Sequence, residues 1–364
     1  MKFTAESKYL SDVINAVSGT TGSADVNLEV GAKGVLIVKS SNKGAIHHTA
    51  TDIVVDEGKK DDKATIQVAQ FLGLISRRGV VTVETTEKGS LFISNKTIRS
   101  EVTLPPAKDV DVVENSDKTL ELEPSTLAKI TEHMGTLNLV NLLSDLSPTI
   151  RLRVLDGTLE MFCADEMHLA YYRIHAETQA DFAIDLPHSE LSQLLDVIAE
   201  DPSTQFAIED TRVYVRNSNT KISFPKSQAG RLISFDAVNA IRDNCVRQKS
   251  PSGIKDIDRE ELLQNVSSCK HIASDETFVE MNGNKTKGYS LSYQTSHGRI
   301  KVVGTGVNMW QGTEPFKVTP FLLEDFLSTL SLFSQVDLYT RETVIYSHVK
   351  QGEDYEAFHS CSGA

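Results

Sequence analysis

The stretch ADFAIDLPHSELSQLLDVIAE, residues 180–200, decides how the rest of the sequence is interpreted. It opens with an alternating apolar pattern at Phe182 and Ile184, which predicts a short strand, and Pro187 then predicts a turn. Beyond the turn, apolar residues recur at the spacing of one helix face: Leu191, Leu194, Leu195 and Ile198. The stretch therefore predicts a strand, a turn and an amphipathic helix.

This layout recurs twice more along the chain. Residues 64–75 read ATIQVAQFLGLI, and residues 315–330 read PFKVTPFLLEDFLSTL. Hydrophobic strand patterns follow each copy, and a strand, a helix and three strands precede it. A recurrence at roughly 120 residues signals a repeated structural unit.

The repeat predicts an α+β protein with three similar domains, at residues 1–116, 117–250 (with a connector) and 251–364. Each domain would contain two halves, and each half a strand, a helix and three strands. Few helices among many regularly spaced strands favour antiparallel sheets with helices on one face.

Composition narrows the class of protein. The chain has 364 residues and a formal net charge of −13, which opposes non-specific binding of nucleic acid by the molecule as a whole. The four cysteines are far apart and form no C-x-x-C pair, so we expect neither a zinc site nor a disulfide framework. We expect no secretory signal and no membrane span, since no apolar run has the required length.

Catalytic motifs are missing from the sequence. There is no H-E-x-x-H, G-x-S-x-G or P-loop pattern, so we predict no enzymatic activity, no catalytic residues, no metal and no cofactor. His47 and His48 are adjacent in a predicted strand, so their side chains should point to opposite faces. Asn282-Gly283 is typical of a hairpin turn between two strands.

Four further segments are distinctive: MKFTAESKYLSDVINAVSG at residues 1–19, TLPPAKD at 103–109, MFCADEMHLAYY at 161–172 and FKVTPFLLEDFLSTL at 316–330. In this order and spacing, they give the chain a resemblance to the bacterial-type sliding clamps, the beta subunit family of DNA polymerase processivity factors. The resemblance implies three clamp domains per chain, with antiparallel sheets outside and helices lining a ring. Two chains would join head to tail around duplex DNA.

The resemblance also implies a function and partners. The chain would be a non-enzymatic processivity factor that encircles DNA without reading its sequence and tethers a replicative DNA polymerase. A separate clamp loader would open the ring. The protein would act in the cytoplasm, at the nucleoid, or in the host cytoplasm if a virus or phage encodes it.

The resemblance also implies which residues form the binding sites, by their position in the sequence. Basic residues on the predicted inner helices would face DNA: Lys8, Arg77, Arg78, Lys129, Arg259, Lys270 and His271. An apolar pocket for partner peptides would include His168, Leu169, Ile233, Val238, Phe358 and Ser360. The subunit interface would include Ile98, Arg99 and Ile272. Ordinary solvent exposure of the charged residues, and core packing of the aliphatic ones, are the alternatives for each residue.

Two other functions remain open at this point. The chain could keep the clamp fold as an interaction scaffold that does not encircle DNA, and it would then not be retained on closed circular DNA. It could instead be a viral structural or carbohydrate-binding protein rich in β-structure. A carbohydrate site would be expected to expose aromatic side chains, and the sequence has a single tryptophan, Trp310.

Overall fold

The structure is a computed structural model. It describes residues 1–363 except 43, 60–61, 77–78, 87–88, 96, 98, 107–109, 111–118, 122–123, 138–148, 165–166, 177–180, 188–203, 209–211, 226–232, 248–250, 271–277, 285–287, 296–297 and 311–314. Within these residues the chain forms two compact units. Unit 1 contains Met1–Leu127 and Glu190–Lys226, and unit 2 contains Ala128–Ser189 and Ser227–Ala364. The division into three domains stays a prediction.

Unit 1 is built mainly of strands with two helices. Its helices are α1 (Ser7–Thr21) and α2 (Val68–Ile75), and a short 3-10 turn spans Ala32–Gly34. Its strands are β1 (Lys2–Glu6), β2 (Asp25–Val30), β3 (Val35–Ser41), β4 (Ala45–Glu57), β5 (Lys63–Gln67), β6 (Val80–Thr85), β7 (Ser90–Ser94), β8 (Arg99–Thr103), β9 (Thr119–Glu121), β14 (Gln205–Ile208), β15 (Arg212–Arg216) and β16 (Thr220–Pro225). Helix α3 (Pro124–Leu137) begins in unit 1 and continues into unit 2.

These strands form one antiparallel sheet, called here the large sheet of unit 1. Its order is β8-β7-β6-β1-β4-β16-β15-β14-β9, and β3, β2 and β5 extend it from β4. Helix α1 packs on one face of this sheet, where the hydroxyls of Thr21 and Ser40 lie 2.7 Å apart. The predicted apolar face of α1, at Leu10, Val13, Ile14 and Val17, is buried as expected.

Unit 2 contains the remaining helices and strands. Its helices are α4 (Phe235–Val246), α5 (Arg259–Lys270) and α6 (Pro320–Thr329). Its strands are β10 (Thr149–Leu155), β11 (Thr158–Ala164), β12 (His168–His175), β13 (Phe182–Pro187), β17 (Ser252–Asp258), β18 (Val279–Asn284), β19 (Gly288–Thr295), β20 (Gly298–Gly304), β21 (Val307–Asn308), β22 (Phe316–Val318), β23 (Gln335–Arg341), β24 (Val344–Gln351) and β25 (Tyr355–Ser362).

Two antiparallel sheets organise unit 2. The large sheet of unit 2 has the order β13-β10-β11-β12-β25-β24-β23-β17-β21, and a smaller sheet has the order β20-β19-β18-β22. The pairing of β12 with β25 joins the segment around residue 170 to the end of the chain. The antiparallel α+β class predicted from the sequence is therefore confirmed.

The organising repeat can be followed in two of its three copies. Helix α6 begins with Thr319, whose hydroxyl accepts a hydrogen bond from the Leu322 amide, and with Pro320 in its first turn. Its predicted apolar face is fully buried, at Leu323, Phe326, Leu327 and Leu330. In the first copy, Phe71 and Ile75 of α2 are buried. In the middle copy β13 confirms the predicted strand, whereas the helix predicted at Leu191–Ile198 lies outside the described residues.

The turn predicted at Asn282-Gly283 is wrong. Both residues lie inside β18, where Gly283 is paired with Tyr289. A Cβ atom on Gly283 would lie 2.2 Å from the Asn308 side chain and 2.5 Å from Trp310 Cβ. Glycine is therefore needed here because neighbouring side chains approach the backbone closely. From the sequence alone, such a glycine cannot be distinguished from one in a turn.

The four cysteines, Cys163, Cys245, Cys269 and Cys361, are free thiols with buried side chains. Burial raises the pKa of the Cys269 thiol to about 11. Within the described part of the chain, no helix has both the length and the apolar character needed to cross a membrane.

Candidate partner-binding site and DNA-facing helices

Five of the predicted peptide-pocket residues meet on one face of the large sheet of unit 2. Leu169 on β12 is paired with Ser360 on β25, so the two side chains share a face. Phe358 lies two residues further along β25, on that face, and Val238 of α4 packs against it in one buried cluster, with Ile233 at its edge. Residues from three distant segments that the resemblance assigned to the peptide pocket therefore lie together, and their role in binding a peptide stays a prediction.

His168 lies on the opposite face of this sheet. It precedes Leu169 in β12 and is paired with Cys361, and its Nε2 atom is 3.4 Å from the Leu322 carbonyl oxygen of α6. Successive side chains of a strand point to opposite faces, so His168 cannot contact the same ligand surface as Leu169 directly.

Helix α4 covers the pocket face. Ser234 caps the helix by accepting a hydrogen bond from the Ala237 amide. Phe235, the first helical residue, packs edge-to-face on Phe162 with ring centroids 4.9 Å apart. The Arg153 guanidinium lies 4.1 Å from the centre of the Phe235 ring on the sheet side.

The predicted anchor residues are consequently buried by the chain itself. Leu169 is 5% exposed, and Val238 and Phe358 are 0% exposed. A partner peptide could reach these side chains only if residues of α4 moved aside. The accessible depression beside α4, of about 1010 Å³, is lined instead by residues on the outer side of the helix and on the β23–β24 turn: Ala240, Ile241, Asp243, Asn244, Arg247, Arg341 and Glu342.

A buried polar network holds α4 on the sheet. Arg242 of α4 donates hydrogen bonds to the Tyr171 hydroxyl (3.2 Å) and to Glu356 (3.4 Å). The Tyr171 hydroxyl in turn donates to Glu160 (2.7 Å), which also accepts from Arg153 (2.6 Å). Burial, together with the neighbouring Glu160, raises the pKa of Tyr171, so its hydroxyl keeps its proton and can donate.

The carboxylate of Glu356 is stabilised from two sides. His348 Nε2 lies 2.9 Å from one of its oxygens, and the hydrogen bond from His348 is the main cause that lowers the pKa of Glu356. The charge of Arg242 lowers it further. Sequence reasoning missed Phe235 and Arg242, although their separation by seven residues places both on one helix face.

The residues predicted to contact DNA differ in their surroundings. Lys8 is exposed on α1. Lys129 is half-buried on α3 and donates to the His175 carbonyl (3.0 Å), and Arg259 at the start of α5 donates to the Leu327 carbonyl (3.3 Å) and pairs with Glu260. Lys270 is the last residue of α5. Arg77, Arg78 and His271 lie outside the described residues.

Lys129 and Arg259 are therefore occupied by contacts within the protein. Only 12% of the Arg259 side chain is exposed, so it is placed as a structural group rather than as an open phosphate contact. The roles of all seven residues stay predictions. In the described part of the chain, no group of three His, Cys, Asp or Glu side chains is arranged to hold a metal ion.

The similarity of this chain to known proteins lies in its structure and not in its sequence. No protein-family model matches the sequence, and no curated protein is similar to it in sequence. Solved structures do match. The beta chain of DNA polymerase III from Streptococcus pneumoniae is 12% identical with a TM-score of 0.79, and the match covers 100% of this chain and 99% of that one.

Other solved structures match equally fully. The DNA polymerase sliding clamp from Bacillus subtilis is 12% identical with a TM-score of 0.76, over 100% of this chain and 99% of that one. The beta subunit from Thermotoga maritima is 13% identical with a TM-score of 0.77 and the same coverage. This chain has the sliding-clamp fold. At such low identity the fold is shared, and residue roles must be argued from the contacts of this chain.

The predicted subunit interface includes Arg99, which lies on an edge strand of unit 1. Strand β8 ends the large sheet of unit 1 and pairs only with β7 in the described part of that sheet. On β8, the Arg99 guanidinium stacks 4.2 Å from the centre of the Phe92 ring. An edge strand leaves backbone groups free to pair with another chain. Ile98 and Ile272 lie outside the described residues.

Proposed function

We propose that this chain is a DNA sliding clamp, a processivity factor that encircles duplex DNA and tethers a replicative DNA polymerase. The observation that carries the proposal is the match of the whole chain to solved clamps, since the match spans 99% of their length. Topology, rather than chemistry, would provide the function, so no catalytic group is required.

The described helices suit a light contact with DNA. Strong phosphate contacts would raise affinity and slow sliding, because each neutralised phosphate adds to the salt-dependent binding energy. Lys8 is exposed, whereas Lys129 and Arg259 are occupied within the protein. A sparse set of cations on an acidic protein of net charge −13 is compatible with holding DNA loosely.

The assembly is part of the proposal. Two copies would close head to tail, with β8 of one copy pairing with a strand edge of the other, because a heterologous contact that closes gives a ring. A clamp loader would open the ring, and the protein would act on DNA in the cytoplasm, at the nucleoid. Partner proteins would dock at the α4-covered face of unit 2.

Solution mass tests the assembly. Light scattering over a dilution series should give about 80 kDa, twice the 40.1 kDa of one chain. A single-chain mass at every concentration would contradict a stable ring. The β8 variant Glu101→Pro removes a backbone donor from the side of the edge strand that does not face β7 and should lower the dimer fraction, whereas Glu101→Ala, which keeps that donor, should not affect dimerisation.

Retention on DNA tests encirclement. A duplex is fixed to beads at one end, the chain is added, and the free end is then blocked. A clamp should resist a high-salt wash and be released when the duplex is cut. The second candidate, a clamp-fold interaction scaffold that does not encircle DNA, predicts loss in the wash whether or not the end is blocked.

A further inference from the structure

Unit 1 carries a row of basic side chains across four neighbouring strands of its large sheet. Lys39 on β3 is paired with His47 on β4, His47 with Lys221 on β16, and Lys221 with Arg216 on β15. Directly paired residues share a face, with Cβ atoms about 5 Å apart. The row, named here the basic row, is therefore continuous over about 15 Å.

The basic row lies on the face of the sheet away from α1. The residues that alternate with it, Val38, Ile46, Ile222 and Val215, are buried on the opposite face. Ser40, on that same opposite face, contacts Thr21 of α1. His47, Lys221 and Arg216 are each partly exposed.

The members of the basic row differ in their contacts. Lys39 pairs with Glu29 (2.7 Å), and Arg216 donates to the Gln205 side chain (2.7 Å). No carboxylate in the described part of the chain lies within ion-pair distance of Lys221. His47 Nδ1 is buried and has no hydrogen-bond partner among the described residues. A group that can hydrogen-bond is therefore left unsatisfied in the middle of a basic surface.

The pKa of His47 depends on its burial and on the charges around it. Burial, followed by the positive charges of Lys39 and Lys221, lowers the pKa of His47 to about 4. The nearby Glu29 opposes this shift without cancelling it. Lys39 and Lys221 therefore lie close enough to His47 for their charges to act on it.

An aromatic side chain stands beside the basic row. Arg212, Tyr214 and Arg216 alternate along β15 on the same face, while Val213 and Val215 between them are buried. Tyr214 is partly exposed. Cations that follow a backbone, combined with an aromatic ring on which a base can stack, are the features that proteins use to bind single-stranded nucleic acid.

We propose that the basic row and Tyr214 form a binding site for single-stranded nucleic acid on the face of unit 1 away from α1. Lys221 and Arg216 contact phosphates, and Tyr214 stacks on a base. An acidic peptide would use the cations equally well but would not need the tyrosine. The site does not require a ring, so it stands apart from the clamp proposal.

The test is anisotropy of a labelled oligothymidylate of about 16 nucleotides, titrated at several salt concentrations. In the double variant Arg216→Ala/Lys221→Ala, the slope of log affinity against log salt should become shallower by about 1.4, since each single-strand phosphate contact contributes about 0.7. Tyr214→Leu should weaken binding by about fivefold or more at every salt concentration, without changing the slope.

The chain offers a matched control in unit 2. Arg299 and Lys301 also alternate on an exposed strand, β20, and have no aromatic residue between them on that face. Arg299→Ala/Lys301→Ala should leave binding unchanged. Lys8→Glu, at the candidate DNA-facing helix, should leave single-strand binding unchanged, and Arg216→Ala/Lys221→Ala should leave retention on the end-blocked duplex unchanged, which separates this site from the clamp proposal.

Three results would overturn the proposal. The first is no binding of the oligonucleotide at low salt, and the second is an equal loss in the β20 control. The third is displacement of the oligonucleotide by poly-glutamate of the same charge, together with an unchanged affinity in Tyr214→Leu. That pair of results would assign the basic row to an acidic peptide instead.

Discussion

The two large sheets use charged side chains in opposite ways. In unit 2, a row across five strands alternates in sign, with Arg153, Glu160, Arg173, Glu356 and Lys350 in successive pairs. In unit 1, the basic row places the like charges of Lys221 and Arg216 directly opposite each other, and it contains no acidic residue on any of its four strands. Opposite charges directly across strands stabilise a sheet, whereas like charges in that position destabilise it.

This difference separates a structural surface from a binding surface. The alternating row of unit 2 is partly buried, and Arg242 ties it to α4, so its charges hold a helix in place. The basic row of unit 1 tolerates like charges side by side, and a bound polyanion would relieve that repulsion. Four variants test the distinction, beginning with the largest expected effect.

Phe235→Ala should have the largest effect, because it removes the aromatic contact between α4 and the sheet. Phe235 is 7% exposed, and truncating a buried phenylalanine costs about 3 kcal/mol or more in the free energy of unfolding. Urea unfolding followed by Trp310 fluorescence reports on unit 2. Phe278→Ala is the control, since Phe278 is 43% exposed and should lose less than about 1 kcal/mol. Equal losses would show that α4 does not depend on this contact.

Arg242→Met should come next, at about 3 kcal/mol, because Glu356 and the Tyr171–Glu160 pair would lose a buried partner. The side chains of Arg242 and Glu356 are 15% and 11% exposed. Arg247 pairs with Asp243 one turn away but is 80% exposed, so Arg247→Met should change stability by about 0.5 kcal/mol or less. An unchanged free energy of unfolding in Arg242→Met would mean that the charges of the alternating row do not need Arg242 as a partner.

Acid should weaken unit 2 through His359, which lies on the face of its sheet opposite α4. Complete burial, and then the charge of His133, lowers the pKa of His359 to about 3, from about 6.5 in the unfolded chain. The unfolded chain therefore binds more protons between these values. Stability should be complete above about pH 6.5 and fall by up to about 1.4 kcal/mol per pH unit toward pH 3.

His359→Asn tests this dependence. The ring faces Thr329 of α6, whose hydroxyl lies 2.9 Å from Nδ1, as well as Tyr172 of β12 and His133 of α3. The variant should flatten the acid limb of the stability curve measured by urea unfolding. His47→Asn in unit 1 should flatten it less, because solvent reaches the partly exposed His47 ring. If the stability of His359→Asn fell with pH as steeply as that of the unmodified protein, His359 would not be the cause of the acid sensitivity.

Arg216→Ala/Lys221→Ala should have the smallest effect on folding. Neither side chain is buried, so the free energy of unfolding should change by about 0.5 kcal/mol or less, or rise slightly as like charges are removed. Thermal unfolding measured by circular dichroism checks this. A loss above about 2 kcal/mol would class the basic row as structural and end the contrast between the two sheets.

The sequence predicted best those features that depend on local periodicity. The helix faces of α1 and α6 follow from apolar spacing. The prediction that Leu169 and Phe358 lie together came from the resemblance to the sliding clamps. The sequence could not predict that α4 would close over the pocket, because that depends on how Phe235 fits against Phe162 and Arg153. Nor could helix charge show that Lys129 and Arg259 bond to carbonyl groups of distant segments.

The placement of the thiols provides a built-in chemical reporter. Cys163, Cys245, Cys269 and Cys361 are all buried and all belong to unit 2. A thiol hidden in the native core reacts with an alkylating reagent only after the surrounding structure opens. Brief alkylation of the unmodified protein, read by mass spectrometry at each cysteine, would therefore time the opening of unit 2 alone, and Cys245 on α4 would record when that helix lifts from the sheet.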